Sequence, residues 1–318
     1  MAAYQLGSHG AEVERIQKRL KTLGLYSGPI DGAFGGGTQS SVKAFQKKAG
    51  LAVDGTVGPI TWRALFRSAI PSSGIAAKPL DYRCLALTGT FETGRGPPEC
   101  FAGLSGDFDG QGLSFGALQW NFGQDTLQPL LNEMARNHTR TMRSIFQSNY
   151  DVLLAALRAD KRELMRFARS IQHPVTHAVH EPWRGMFKSL ARSDAFQAIQ
   201  VKHARSAYRR AKALASEYGL WSQRGTALMF DIVVQNGGIN SAVKERIMAE
   251  IRRLPARLDK PGVEVARMQI IANRRAEAAK PVWIEDVCAR KLCIADGEGV
   301  VHGIAFDLEA QFGIGLVS

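Results

Sequence analysis

Three acidic residues between positions 85 and 127 could carry chemistry. Glu92 closes the segment LALTGTFE, and Asp107 and Asp109 lie in SGDFDGQG. Hydrolysis of a glycosidic bond needs a protonated carboxyl at the leaving oxygen and a second, ionised carboxylate across the sugar ring. A glutamate at the end of an apolar helix, against apolar neighbours, is expected to keep its proton and act as the acid. An aspartate in a polar, glycine-rich loop is expected to stay ionised. Turn capping accounts for Asp107 and Asp109 as well, and the sequence does not separate them.

Other chemistries find weaker support. His173, His177 and His180 have a spacing that would share one helix face, but Pro174 interrupts it. No histidine lies at ligand spacing from Cys84, Cys100, Cys288 or Cys293. No metal and no cofactor are implied. Cys84 with Cys100, and Cys288 with Cys293, are near enough in sequence to pair; free thiols are the other reading. Trp183 and Trp221 read as core or half-buried residues, whereas Trp120, beside the acidic loop, is a candidate for lining a sugar cleft.

Positioning these residues takes a mainly helical chain. Val13, Ile16, Leu20 and Leu23 repeat with helical period, and the pattern stops at Gly24. Further helices are expected from about Thr38 and from Pro59. Asp-Gly occurs at 31–32 and 54–55, each time before a helix, which makes an internal repeat of 23 residues. Residues 67–80, RSAIPSSGIAAKPL, read as a tether. From 81 onward helical patterns dominate, with a buried central helix expected over 224–235. Residues 101–120 break the pattern and read as a glycine-rich β-hairpin or small sheet. The expected division is 1–66, a 67–80 linker, and 81–318.

The segment from Val13 to Phe66 resembles the type 1 peptidoglycan-binding domain. The match is carried by LKTLGLY, the first DGAFG, TQSSVKAFQ, and the second DGTVGPITW. The resemblance implies a three-helix module whose Asp31 and Asp54 turns build a shallow groove for cell-wall material. A second resemblance lies in DGQGLSFGALQWNFGQDTL, which is similar to the D-G-R-G-Y-T-A-G segment of family 46 chitosanases in the lysozyme-like superfamily. It implies a lysozyme-like α+β domain with a short β insert. In that family a glutamate ends the first helix of the domain and an aspartate opens the D-G-x-G motif about 18 residues later. Glu92 and Asp109 match, 17 residues apart, and Ser114 falls where a threonine helps hold the attacking water. Gln111 replaces the family's arginine. Asp231, in LWSQRGTALMFDIVVQNGG, matches a structural aspartate that pairs with arginines. SFGALQW and Gln235-Asn236-Gly237-Gly238 also resemble the G-L-M-Q and Y-N-A-G segments of lytic transglycosylases and goose-type lysozymes. Gln119, Gln235 and Asn236 are thereby implied at the sugar cleft.

Composition narrows the partner. The 318 residues carry 41 Lys and Arg against 29 Asp and Glu, a net charge of +12, with 45% hydrophobic residues. A basic, core-forming chain is drawn to polyanions. With a wall-binding resemblance and no nucleic-acid motif, the anionic cell envelope is the expected partner, not nucleic acid. No run of 18 apolar residues is present, so membrane insertion is not expected, and a monomer is expected. The start MAAYQLGSHGAEVERIQ does not read as a secretory signal. Together these readings suggest a peptidoglycan muramidase of the phage endolysin kind, a bacteriolytic and antimicrobial enzyme that leaves the host cytoplasm for the wall through a separate pore. An exported lysin, a lytic transglycosylase, a chitosanase and a non-catalytic wall-binding protein are the alternatives.

Overall fold

The computed structural model describes residues 4–8, 10–67 and 74–317. Of the tether read at 67–80, residues 68–73 lie outside the described residues, and Gly74–Ala77 forms a short 3-10 helix. The chain is mainly α, with short strands. It divides into two compact units: Met1–Cys84 together with Ser206–Ser318, and Leu85–Arg205.

Within the first unit, the N-terminal helices are Ala11–Thr22, Gly36–Lys48 and Pro59–Phe66. They close on their own core of Val13, Ile16, Leu20, Phe34, Val42, Trp62 and Leu65. The 23-residue repeat has a structural cause that the spacing alone did not show. Gln17 is fully buried, and its amide nitrogen donates to Asp31 Oδ1 (2.8 Å), Ala33 O (2.9 Å) and Thr38 Oγ1 (3.2 Å). Gln46 makes the same set one repeat later, to Asp54 Oδ1 (2.7 Å), Thr56 O (2.9 Å) and Thr61 Oγ1 (3.2 Å). Each buried amide thereby satisfies an Asp-Gly turn and ties it to the next helix.

The rest of the first unit is built around the helix Gln223–Asn236, buried along most of its length as its apolar sequence requires. Lys260–Glu277 and Ile284–Asp296 are further helices, and a hairpin pairs Glu298–Val301 with Ile304–Asp307. That hairpin carried no recognisable signal in the sequence. Asp231, fully buried, pairs with Arg290 at 2.7 Å and with Lys291. Burial alone would raise its pKa; the two cations outweigh burial and hold it well below the usual carboxylate range. Asp231 thus has an arginine partner, joined by a lysine.

The second unit contains Leu85 onward of the helix Leu80–Thr93, a three-stranded antiparallel sheet, and helices from Leu127–Asn137 to Trp183–Arg192. The sheet pairs Leu104–Ser105 with Ser114–Phe115, and Ser114–Phe115 with Trp120–Asn121. This is the small sheet expected over 101–120. Strand alternation divides its residues between two faces. Leu104, Phe115 and Trp120 pack on the apolar core, where Phe115 stacks on Phe196 at 5.4 Å. Ser105, Ser114 and Asn121 occupy the other face.

Candidate functional site

The helix Leu80–Thr93 sets Glu92. Leu85, Leu87 and Phe91 are buried, so the apolar side of the helix faces the core and Glu92, in the last turn, is exposed. Gly94 stops the helix with φ +67° while its N–H still reaches Thr90 O at 2.8 Å. Gly89 lets the helix come close to its neighbours. A Cβ there would stand 2.8 Å from Cys100 O and 3.0 Å from Ala117 Cβ.

A cleft of about 360 Å³ opens at this helix end, lined among others by Glu92, Arg95, Glu99, Ser105, Gln119 and Lys188. The cleft that Glu92 lines mixes these polar and charged side chains with the apolar Ala102 and Leu104. Glu99 is held by Arg192 through two hydrogen bonds, 2.6 and 3.1 Å. Gln119 accepts from Ser105 Oγ at 3.0 Å and donates to Gly116 O at 2.9 Å. Its φ of +52° is unusual for a residue with a side chain and costs about 1–3 kcal/mol. Strain of this kind is held only where surrounding bonds over-determine it, as the two amide bonds do here. Buried Gln200 fixes the cleft wall from behind: it donates to Phe101 O (3.1 Å) and accepts from Ala117 N (2.8 Å).

The two loop aspartates separate clearly. Asp107 has a side chain only 6% exposed. One carboxylate oxygen accepts from Gly112 N at 2.7 Å and the other from Arg169 Nε at 2.8 Å. Burial raises its pKa, but the Arg169 and Gly112 hydrogen bonds outweigh burial and hold it below the usual range. Its N–H donates to buried Gln172 at 2.8 Å. Asp107 is thus committed to holding the loop. Asp109 is exposed and caps its turn by accepting from Gln111 N at 3.1 Å, with its other oxygen left for solvent.

The remaining candidates disperse. Ser114 is 9% exposed and sits across the ladder from cleft-lining Ser105. Asp109, Ser114 and Trp120 are not among the residues lining the Glu92 cleft. Trp120 lies against the core because its strand position points it there. Gln235 is engaged at both ends of its amide, by Lys291 and by Asp286 at 3.0 Å. Asn236 lines a different cavity of about 280 Å³ in the first unit, with Arg275. Asp31 and Asp54 spend one oxygen each on Gln17 and Gln46 and on their own turns. Arg95 and Lys188, which do line the cleft, went unnoticed in the sequence because lone basic residues in a basic chain carry no spacing signal. All four cysteines are free thiols. His173 accepts from the N–H groups of Val175 and Thr176, and His177 lies edge-on to Phe108 at 5.0 Å. Among the described residues no group of His, Cys, Asp or Glu could hold a metal, and no helix is long and apolar enough to cross a membrane.

Residues 9–65 match the family described as "Putative peptidoglycan binding domain". The N-terminal helices and their twin Asp-Gly turns are that module. The spore cortex-lytic enzyme of Bacillus cereus is 44% identical over 64 residues, covering 20% of this chain and 25% of its own length. The N-acetylmuramoyl-L-alanine amidase CwlM of Mycobacterium tuberculosis is 38% identical over 76 residues, covering 20% of this chain and 19% of its own. The chain thus matches about a quarter or less of the length of these relatives. Among solved structures, the native chitosanase from Bacillus subtilis MY002 is similar with a TM-score of 0.44 and 17% identity, over 69% of this chain and 88% of that one. The chitosanase of Gynuella sunshinyii, in complex with chitotetraose, gives 0.42 and 12%, over 72% and 97%. Likenesses this loose assign no role to any residue.

Proposed function

We propose that this chain is a cell-wall glycan hydrolase that cuts peptidoglycan between N-acetylmuramic acid and N-acetylglucosamine. The observation that carries the reading is an exposed glutamate at a helix end in a polar cleft, on a chain that also carries a wall-binding module. Glu92 donates the proton to the leaving oxygen. Asp109, the loop carboxylate not tied to a cation, activates water, and Ser114 helps position it. The relatives named for spore cortex lysis and for amidase activity share the module alone, so they support the destination and leave the bond open. Release from a host cytoplasm as a phage endolysin, with a lytic, antimicrobial outcome, fits the basic chain and its wall module.

One observation favours a second reading. Glu92 lines the cleft and Asp109 does not. A lytic transglycosylase needs only the glutamate, because the substrate's own acetamide assists. Mass spectrometry of digested sacculi decides: a hydrolase leaves reducing ends, a transglycosylase leaves 1,6-anhydro ends. Glu92→Gln is expected to cut the rate by about 10²–10⁴-fold in either case. Asp109→Ala is expected to do the same only for the hydrolase. If both variants release muropeptides at the wild-type rate, the assignment of Glu92 and Asp109 is wrong; if the wild type releases none, the chain is a wall-binding protein. If soluble chitosan is cut and sacculi are not, it is a chitosanase.

A further inference from the structure

The cleft's charge goes beyond what a neutral or cationic glycan requires. Of its two lining carboxylates, Glu99 is neutralised by the paired contacts from Arg192. The other is Glu92. Against them stand two lining cations, Arg95 and Lys188, and neither is in an ion pair among the described residues. Both are placed by the local fold. Thr93 Oγ1 donates to Gly89 O at 2.8 Å and accepts from Arg95 N at 3.2 Å, so the chain turns directly after Glu92 and sets Arg95 in the cleft lining. Lys188 sits on the helix Trp183–Arg192, one turn before Arg192 and on the same face. Arg192 goes to Glu99, and Lys188 is left to the cleft. Glu181 takes its hydrogen bonds from Arg184 at 2.7 Å and from Gly185 N at 2.9 Å, with the charge of Lys188 making only a lesser, through-space contribution there.

Two cations beside one reacting carboxylate form a poor site for a polycation. They suit a chain that brings its own carboxylates. We infer that Arg95 and Lys188 form an anion subsite, beside Glu92, that holds a carboxylate carried by every second sugar of the wall glycan. The inference rests on the muramidase reading and names the substrate feature read by that site. The carboxylate has two sources: the peptide stem on muramic acid or, where the stem has been removed, the lactyl carboxylate that the stem's amide bond had masked. An Arg or Lys contact to a carboxylate is a charge-assisted hydrogen bond, roughly twice as strong as a neutral one. The same pair opposes protonated glucosamine, so the subsite selects for acid-bearing strands and against deacetylated ones.

Kinetics on three soluble substrates test this: glycan strands with peptide stems, strands stripped of stems by an amidase, and neutral N-acetylglucosamine oligomers. For the Arg95→Ala/Lys188→Ala chain, the preference in kcat/KM for stem-bearing strands over neutral oligomers is expected to fall at least tenfold, mostly through KM. If stripped strands lose the same preference, the subsite also takes the lactyl carboxylate freed when the stem is removed; if only stem-bearing strands lose it, the stem carboxylate is the ligand. An equal fall on all three substrates, as a misfolded or merely structural variant would give, overturns the proposal, and so does an unchanged preference. Lys188→Glu provides a gain that no loss of fold can produce: turnover of partly deacetylated, cationic oligomers is expected to rise relative to wild type, and a fall counts against the subsite. Binding to the Glu92→Gln chain reads the subsite without turnover. Should the wild type cut no glycan at all, the muramidase reading fails, while weaker strand binding on adding Arg95→Ala/Lys188→Ala still supports the subsite and unchanged binding still overturns it.

Discussion

Asp107 and Asp109 show how little residue type decides. Both sit in one glycine-rich loop, two positions apart, yet Asp107 gives its oxygens to Arg169 and Gly112 while Asp109 keeps one for solvent. The two should therefore fail differently. Asp107→Asn is expected to lower unfolding stability by about 1 kcal/mol, the worth of a charge-assisted hydrogen bond whose arginine is largely exposed. The sign with pH follows from a depressed folded pKa. The contribution of Asp107 is complete above the unfolded aspartate value of about 3.9 and is lost as pH falls through the lower folded value. The gap between wild type and Asp107→Asn, followed by denaturant unfolding, should be constant near neutrality and close below about pH 4. Asp109→Asn is expected to leave stability within about 0.5 kcal/mol and to act on turnover instead. A stable Asp107→Asn chain with lost activity would reverse the two assignments.

At the scale of elements, the helix Leu80–Thr93 holds the cleft through close approach. An alanine at position 89 gains up to about 1 kcal/mol of helix propensity. It also places a methyl group 2.8 Å from Cys100 O and 3.0 Å from Ala117 Cβ. Overpacking of that kind costs about 1–3 kcal/mol, so the clash should win and Gly89→Ala should melt below wild type. An equal or higher melting temperature would mean that the helix stands further off than described. Gln200→Leu is expected to lower stability as well, by about 1–3 kcal/mol, because it removes the acceptor of the buried Ala117 N–H and a donor to Phe101 O. Since Ala117 lies in the 116–119 turn that carries Gln119, the same change should raise KM. In the N-terminal module the matching element is the buried glutamine. Gln17 and Gln46 make each Asp-Gly turn part of the core, which explains why the turns repeat.

Across the whole molecule the excess of 41 basic over 29 acidic residues sets long-range behaviour. Attraction to an anionic wall is screened within about 30 Å at 0.01 M salt and about 10 Å at 0.1 M. The rate of wall lysis by the intact chain should fall as salt rises between about 0.01 and 0.3 M; a flat rate would remove the charge from the account of wall encounter. That charge was plain in the sequence, and so were several local features: the module's helical periods, its Asp-Gly turns, the glycine-rich sheet over 101–120, and Glu92 at a helix end. Such features depend on residues within a turn or two of each other, and a linear pattern records them. What only the tertiary structure decided depends on partners far along the chain. Arg169 reaches back 62 residues to claim Asp107, Gln200 reaches 99 to brace Phe101, and Lys188 comes from a separate helix into the cleft of Glu92. A carboxylate's role is set by the charges and donors that packing brings to it, and no spacing rule along the chain encodes which ones arrive.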